Sequence, residues 1–292
     1  MRVLLTGATG FVGASVVRRL IDDGVDLHTL GRTPVPGTTF HACDLLADDP
    51  APILAAIAPT HLIHLAWNED RATLWNGAQN LAWVAATLRL ALAFRAAGGT
   101  RAVFAGSSAE YDWTGDAALD ERTSPLVPAT GYGRAKRALF DLIAGTPTLE
   151  LSVGWARIFF AFGPHDKPDR LLSQVIDGVA AGRPVSCSAG TQVRPFIHVD
   201  DVAGALVALL RSPVEGAVNI ALAQTMSVRE LALCAGAAAG DPGLIAFGTQ
   251  ALQPGEPPVL TAAVSRLSDE VGFVPRHDIA SGVAHSVAER LR

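Results

Sequence analysis

The 292-residue chain is poor in charge: Asp, Glu, Lys and Arg make up only 17% of it, and the formal net charge is −5. No basic run is long enough to follow a nucleic-acid backbone or an anionic membrane surface, which excludes partners recognised by a broad positive field. Cysteine is scarce too. Cys43, Cys187 and Cys234 show no C-x-x-C spacing and no histidine at metal-like intervals. That excludes a disulfide framework and a cysteine-based zinc module, and no metal site is expected. Long apolar runs are missing: the most apolar stretch, Leu81 to Ala97, is interrupted by Arg89 and Arg95 and is too short for a membrane span. No charged head followed by a long apolar segment opens the chain, so no signal peptide is expected and the reading is a cytoplasmic protein. No internal repeat or low-complexity segment is visible. What is abundant is apolar residue, 49% of the chain. That is enough to bury a sizeable core, in one large α/β domain or a large domain with a smaller companion.

The first half alternates short β-type runs with longer helical ones. Arg2–Thr6, Asp26–Leu30, His61–Leu65, Arg101–Ala105 and Leu149–Ile158 read as strands. Phe11–Asp23, Ala51–Ala58, Gln79–Ala97 and Tyr132–Ala144 read as helices. This rhythm predicts a doubly wound parallel sheet of the Rossmann type. After residue 160, Gly and Pro break the rhythm, and helical patterns persist only at Leu171–Ala181 and Val202–Leu210. The expected organisation is a dinucleotide-binding domain over 1–159 plus about 196–223. A smaller α/β substrate domain would take about 160–195 and 224–292. Helix Gln79–Ala97 is apolar nearly all round, so both faces should be covered. The second cover is either the monomer itself or the same helix of another subunit, and a homodimer is expected.

Gly7, Gly10 and Gly13 fall between the first strand and the first helix, in Thr6-Gly7-Ala8-Thr9-Gly10-Phe11-Val12-Gly13. Glycine there permits a tight turn, close approach of backbone to a pyrophosphate, and close helix–strand packing. The free N–H groups of the helix N-terminus then face the phosphates. Thr9, Phe11 and Val12 belong to the same loop. An NAD site usually ends its second strand on Asp or Glu, which bonds the ribose 2′-OH. Here that strand ends Leu30-Gly31-Arg32, and Asp26 comes too early. Arg32 suits a 2′-phosphate instead. NADP(H) is therefore expected over NAD(H).

Tyr132 and Lys136 stand at i and i+4 where a helix begins, on one face. A tyrosine alone has a pKa near 10 and exchanges protons poorly at neutral pH, and an adjacent ammonium favours its phenolate. Ser107 lies just past the Arg101–Ala105 strand, at the sheet edge where open α/β folds bind ligands. Its hydroxyl could hold a substrate oxygen while Tyr132 passes the proton. Such a set is what redox chemistry at a carbonyl or carbinol carbon needs. A protein that merely sensed the cofactor would not.

Together these segments resemble the extended short-chain dehydrogenase/reductases, and within them the nucleotide-sugar epimerase, dehydratase and ketoreductase branch. The likeness runs nearly end to end. It implies that Asp44 and Leu45 contact adenine, and that Leu65, Ala66 and Trp67 line the cofactor. It further implies that Phe159 flanks the nicotinamide and that Ser108, Phe160 and Arg194 face the substrate, a nucleotide sugar, with Arg194 reaching its diphosphate. His198 reads as structural, and Asp200 and Asp201 as caps of the following helix.

Departures from the family pattern select the reaction. The dehydratases follow their Ser/Thr with an acidic pair, whereas Ser107 is followed by Ser108 and Ala109, and Glu110 is one position off. Trp67 and Trp83 replace smaller or polar residues and either narrow the site or pack the core. Gln253-Pro254-Gly255-Glu256 resembles an Arg-Pro-Gly-Asp element without its arginine. The reading is an NADPH-dependent ketoreductase of a 4-keto-6-deoxy sugar nucleotide. The alternatives are an epimerase that keeps its NAD and a non-catalytic protein that senses NAD(P).

Overall fold

The computed structural model describes residues 1–68, 70–115, 117–251 and 256–292. Its first half runs β1 (Arg2–Thr6), α1 (Phe11–Asp22), β2 (Asp26–Gly31), β3 (Thr39–Ala42), α2 (Ala51–Ile57), β4 (His61–His64), α3 (Arg71–Leu74), α4 (Gln79–Ala96), β5 (Arg101–Ser107), α5 (Gly131–Ala144) and β6 (Ser152–Ile158). The second half continues β7 (Phe160–Phe162), α6 (Leu171–Ala180), β8 (Val185–Cys187), β9 (Val193–Arg194), β10 (Phe196–His198), α7 (Val199–Arg211), β11 (Gly216–Ile220), β12 (Met226–Ser227), α8 (Val228–Ala239), β13 (Ile245–Phe247) and α9 (Ile279–Arg290).

Seven strands form one parallel sheet in the order β11-β6-β5-β4-β1-β2-β3. Parallel strands are covered on both faces, so their sequences are continuous apolar runs. Val3, Leu4, Leu5, Leu62, Ile63, Ala102 and Val103 are all fully buried. The strand order reverses between β1 and β4, and ligands bind beyond the carboxyl ends of strands at such a point. The fold is the doubly wound α/β architecture that the alternating pattern predicts.

Several boundaries differ from the sequence reading. The last strand of the first half starts at Ser152 rather than Leu149, because Pro147–Leu149 form a 3₁₀ turn and Glu150 has φ +48°. Strand β3 escaped detection because its Thr-Phe-His-Ala run at the sheet edge is only half-buried and has no apolar periodicity. The return to the main sheet is made by β11. Phe196–His198 pairs instead with Phe160–Phe162 in a separate parallel ribbon. Helix α7 starts at Val199, and its cap is His198, whose Nδ1 accepts the Asp200 N–H. Asp200 and Asp201 therefore do not cap it. Asp200 pairs with Arg18, and Asp201 accepts the N–H groups of Arg276 and His277. Among the described residues no helix is long and apolar enough to cross a membrane.

Candidate active site

Strand β1 ends in the glycine turn. Gly7 has φ +73°, and a Cβ there would stand 2.6 Å from Ala66 N. A Cβ on Gly13 would stand 2.0 Å from Gly7 O. Neither position tolerates a side chain, so the turn is compressed between α1 and the end of β4, which leaves its outer side open. That side forms a cavity of about 470 Å³ lined by Gly7, Thr9, Gly10, Arg32, Asp44, Leu45, Leu65, Ala66 and Trp67, among others. Gly10 is the extended N-cap of α1 and carries no capping side chain, so the first amides of the helix stay available to an anion. Phe11 lies behind the loop on a smaller cavity of about 130 Å³ with Ser15, Arg18 and Val199. Val12 packs against the apolar core. These residues fit a dinucleotide: a side-chain-free loop for the pyrophosphate, and a slot between Arg32 and Asp44 for the adenosine end.

Below this cavity His64 ties three elements together. Its Nδ1 shares a 2.7 Å hydrogen bond with Thr6 Oγ1 and its Nε2 a 3.0 Å bond with Thr87 Oγ1. Burial pushes it down to about 3, so it is neutral and serves as a fixed post under Leu65–Trp67.

Helix α5 delivers the proton-transfer pair. Thr130 caps it by accepting the Gly133 N–H at 3.1 Å. Tyr132 N donates to Trp75 O at 2.9 Å, and Gly131 N to Asn76 Oδ1 at 2.9 Å. A Cβ on Gly133 would stand 2.1 Å from Ala109 O. The helix therefore sits directly on the turn after β5, and the Ser107 hydroxyl hydrogen-bonds the Tyr132 phenol. Lys136 is 3% exposed. Its Nζ donates to Ala105 O at 2.8 Å and lies 3.8 Å from the centre of the Trp67 ring. Ser107, Tyr132 and Lys136 thus meet in one place.

Desolvation dominates both titrating groups. It pushes Tyr132 up to about 12, against the Ser107 hydrogen bond, with the Glu110 carboxylate adding to the rise. It pulls Lys136 down to about 7, against the attraction of Glu110. The expectation that Lys136 brings the phenol toward neutrality is not met in this site. The ammonium lies on the Trp67 face, 5.8 Å from the centre of the Tyr132 ring, and burial dominates the phenol.

Three tryptophans enclose the pair. Trp67 stacks on Trp83 with centroids 6.0 Å apart, and both line the cofactor cavity. Trp67 and Trp75 meet the Tyr132 ring edge-on at 6.2 and 5.9 Å. Asn80, buried on α4, orients Trp67 by accepting its indole N–H at 3.0 Å while donating to Leu74 O at 2.8 Å. Trp75, Asn76, Asn80 and Gly133 escaped the sequence reading. Gly133 alone had a usable signal: a glycine inside a helix start is unfavourable by about 1 kcal/mol and marks close packing.

The substrate-side residues are scattered differently. Ser108 is buried, and its carbonyl accepts the Trp113 indole N–H. Phe159 packs on Tyr111 at 6.4 Å. Phe160 lies under the Arg194 guanidinium at 5.3 Å. Arg194 is 1% exposed and donates to Glu256 Oε1 at 3.0 Å and to Pro257 O at 2.8 Å. Its charge is already engaged within the protein. Residues 253–255 lie outside the described residues. Glu110 is not a displaced dehydratase acid. Fully buried, it accepts from Arg157 Nε at 2.9 Å, Trp155 Nε1 at 2.9 Å and Ser107 N at 2.8 Å.

The comparisons agree with this geometry. The family described as "NAD dependent epimerase/dehydratase family" matches residues 3–221. The chain is 28% identical to dTDP-glucose 4,6-dehydratase of Streptomyces griseus, over 98% of this chain and 93% of that protein. It is 24% identical to UDP-glucose 4-epimerase of Azospirillum brasilense, over 98% and 90%. Among solved structures, MoeE5 in complex with UDP-glucose and NAD superposes with TM-score 0.82 at 29% identity, covering 99% of this chain and 98% of that one. UDP-glucose 4-epimerase of Thermus thermophilus, in complex with NAD, superposes with TM-score 0.88 at 23% identity over 100% and 99%, a likeness of fold. The chain belongs to the NAD-dependent epimerase/dehydratase family and, with it, to the enzymes of the extended short-chain dehydrogenase/reductase type.

Proposed function

We propose that this enzyme is an NADP(H)-dependent ketoreductase acting on a nucleotide-linked 4-keto sugar of the 6-deoxy type. The observation that carries the proposal is Arg32. It follows the end of β2 on the rim of the cofactor cavity, is exposed, and forms no ion pair with any described residue. Its neighbours in sequence, Gly31 and Thr33, carry no carboxylate, and Asp26 on β2 is paired with Arg2. A guanidinium in that place suits a 2′-phosphate and disfavours nothing in it. The chemistry of the site points the same way. At the positions after Ser107, Ser108 and Ala109 carry no acid and Glu110 is locked to Arg157, which argues against removal of water from the sugar.

A bound nicotinamide would supply the hydride. The Tyr132 phenol, kept protonated by burial, donates its proton to the carbonyl oxygen as that oxygen gains charge. Ser107 holds the same oxygen by its hydroxyl. Lys136 offers an ammonium beside the pair, and its low pKa lets it exchange a proton near neutrality. Trp67 and Trp83 shape the wall that the cofactor and substrate share. Leu81 and Leu92 on α4 and Leu142 on α5 are exposed apolar side chains, and they support pairing with a second copy.

The test follows NADPH and NADH absorbance against dTDP-, GDP-, CDP- and UDP-linked 4-keto-6-deoxy sugars. NADPH should be preferred, and Arg32→Ala should reduce that preference by about 10-fold or more. An unchanged ratio would remove Arg32 from cofactor selection. A second reading, an epimerase with retained NAD, is favoured by the NAD bound in MoeE5. Stoichiometric NAD in the purified protein, with turnover needing no added cofactor, would select it.

A further inference from the structure

Three histidines from separate parts of the chain meet where α9 docks on the start of α7. His198 ends β10, His277 precedes α9, and His285 lies on α9. A Cβ on Gly282 would stand 3.3 Å from His198 Cβ, so this helix face approaches closely, and His285 follows three residues later on the same face. One ring nitrogen of each histidine lies within 4.8 Å of one of each of the others. The ring centroids are 4.6 Å apart for His198 and His277, 5.1 Å for His198 and His285, and 5.2 Å for His277 and His285.

These spacings can be set against a metal site. Metal–nitrogen bonds of about 2.0–2.1 Å, with about 1.1 Å more to each ring centre, put tetrahedrally arranged imidazole centroids about 5.2 Å apart. Two of the three centroid separations match this, and the third, His198–His277 at 4.6 Å, is shorter. The ring nitrogens, within 4.8 Å of one another, would have to close to the roughly 3.4 Å spacing such an ion imposes. The hydrogen bonding points to a ligand independently. His198 is fully buried, yet its Nε2 has no partner among the described residues, and neither has buried His285 Nδ1. Buried polar atoms are seldom left unpaired. Here two of them belong to rings in mutual contact.

We propose that His198, His277 and His285 bind a divalent transition-metal ion of the zinc class and so clamp α9 to the start of α7. Three imidazoles without a thiolate suit Zn²⁺, Co²⁺, Ni²⁺ or Cu²⁺ and are wrong for Mg²⁺ or Ca²⁺, which take oxygen. Nδ1 of His198 accepts the Asp200 N–H, so metal on Nε2 requires the ring proton to move to Nδ1, and that cap bond is given up when the ion binds. The Asp200 carboxylate, 3.8 Å away, is the acceptor in reach. His277 and His285 are half-exposed, which opens a path for the ion and leaves a fourth position for water.

The test uses the full-length, untagged protein after chelator treatment. Addition of Co²⁺ should produce the intense visible bands of a four-coordinate ion and saturate at one equivalent. Zn²⁺ should compete for the same site and raise Tm with concentration. His277→Gln and His285→Gln leave the His198 cap intact. Each should weaken binding by at least about 10-fold, and the double variant should lose the Co²⁺ spectrum and the Zn²⁺-dependent rise in Tm. His61→Gln, far along the chain in β4, should change neither. Overturning outcomes are no Co²⁺ spectrum in the parent protein, which would leave a packed ring cluster only, or equal binding by the double variant, which would place the ion elsewhere.

Discussion

Lys136 should make the cofactor-free enzyme grow more stable as pH rises above neutrality. Its ammonium is 3% exposed, and desolvation brings its pKa from 10.5 to about 7. A difference of that size corresponds to about 5 kcal/mol between the two protonation states. The sign follows from proton counting. Below about pH 7 the lysine is charged in both native and unfolded chains, and the native state carries the whole penalty of a buried charge. Between about pH 7 and 10.5 the unfolded chain holds a proton that the native chain has released. Stability therefore rises with pH across that window, by at most about 1.4 kcal/mol per unit. Lys136→Met keeps the stem and removes the titration. Apparent unfolding free energies from urea melts, taken in steps from about pH 6.5 to 9.5, isolate the residue as the difference between parent and variant. The variant should be the more stable by several kcal/mol at the acid end, and the two curves should converge toward the alkaline end. Parallel curves would show that the carbonyl of Ala105 and the face of Trp67 hold the ammonium charged after all, and the account of desolvation would fall.

Three further outcomes follow from the same site. Gly133→Ala places a methyl 2.1 Å from Ala109 O, so the start of α5 must retreat by about 1 Å. This should cut kcat roughly 100-fold with little change in cofactor Kd, because the phosphate loop is untouched. Glu110→Gln strands the Arg157 guanidinium in a fully buried position. It should lose about 3–5 kcal/mol, read as a fall in Tm of roughly 10 °C. Tyr132→Phe preserves the ring contacts with Trp67 and Trp75 but removes the proton. It should lower kcat roughly 100- to 10,000-fold without weakening cofactor binding, and a near-normal kcat would deny the tyrosine its role.

The parts of this enzyme that could be read from the chain are those whose cause is local. Glycines at 7, 10 and 13 announce the phosphate turn because no side chain fits there, and the apolar run of each central strand announces burial on both faces. Tyr132 and Lys136 share a face because four residues are about one helical turn. Such rules fail where the deciding partner is remote in sequence. Asn80 matters because the Trp67 indole N–H needs an acceptor, and nothing near position 80 says so. The family likeness assigns Arg194 to the substrate's diphosphate, but no local pattern announces the carboxylate that pairs with it in this fold. Glu256 lies 62 residues away along the chain.

Glu110 shows the same limit most clearly, and it explains why a polar set can work inside so apolar a chain. One position from the expected acid, it reads as a weakened catalytic group. In the fold it neutralises Arg157, accepts from Trp155 and holds the amide of Ser107. Its negative charge also opposes loss of the Lys136 proton and of the Tyr132 proton. A buried carboxylate so placed favours the ammonium and the neutral phenol together, which is the protonation state that proton donation to a carbonyl oxygen requires. Under the proposed reaction, the shift away from the dehydratase position therefore argues against dehydration and supports proton donation, through a residue that touches neither substrate nor cofactor.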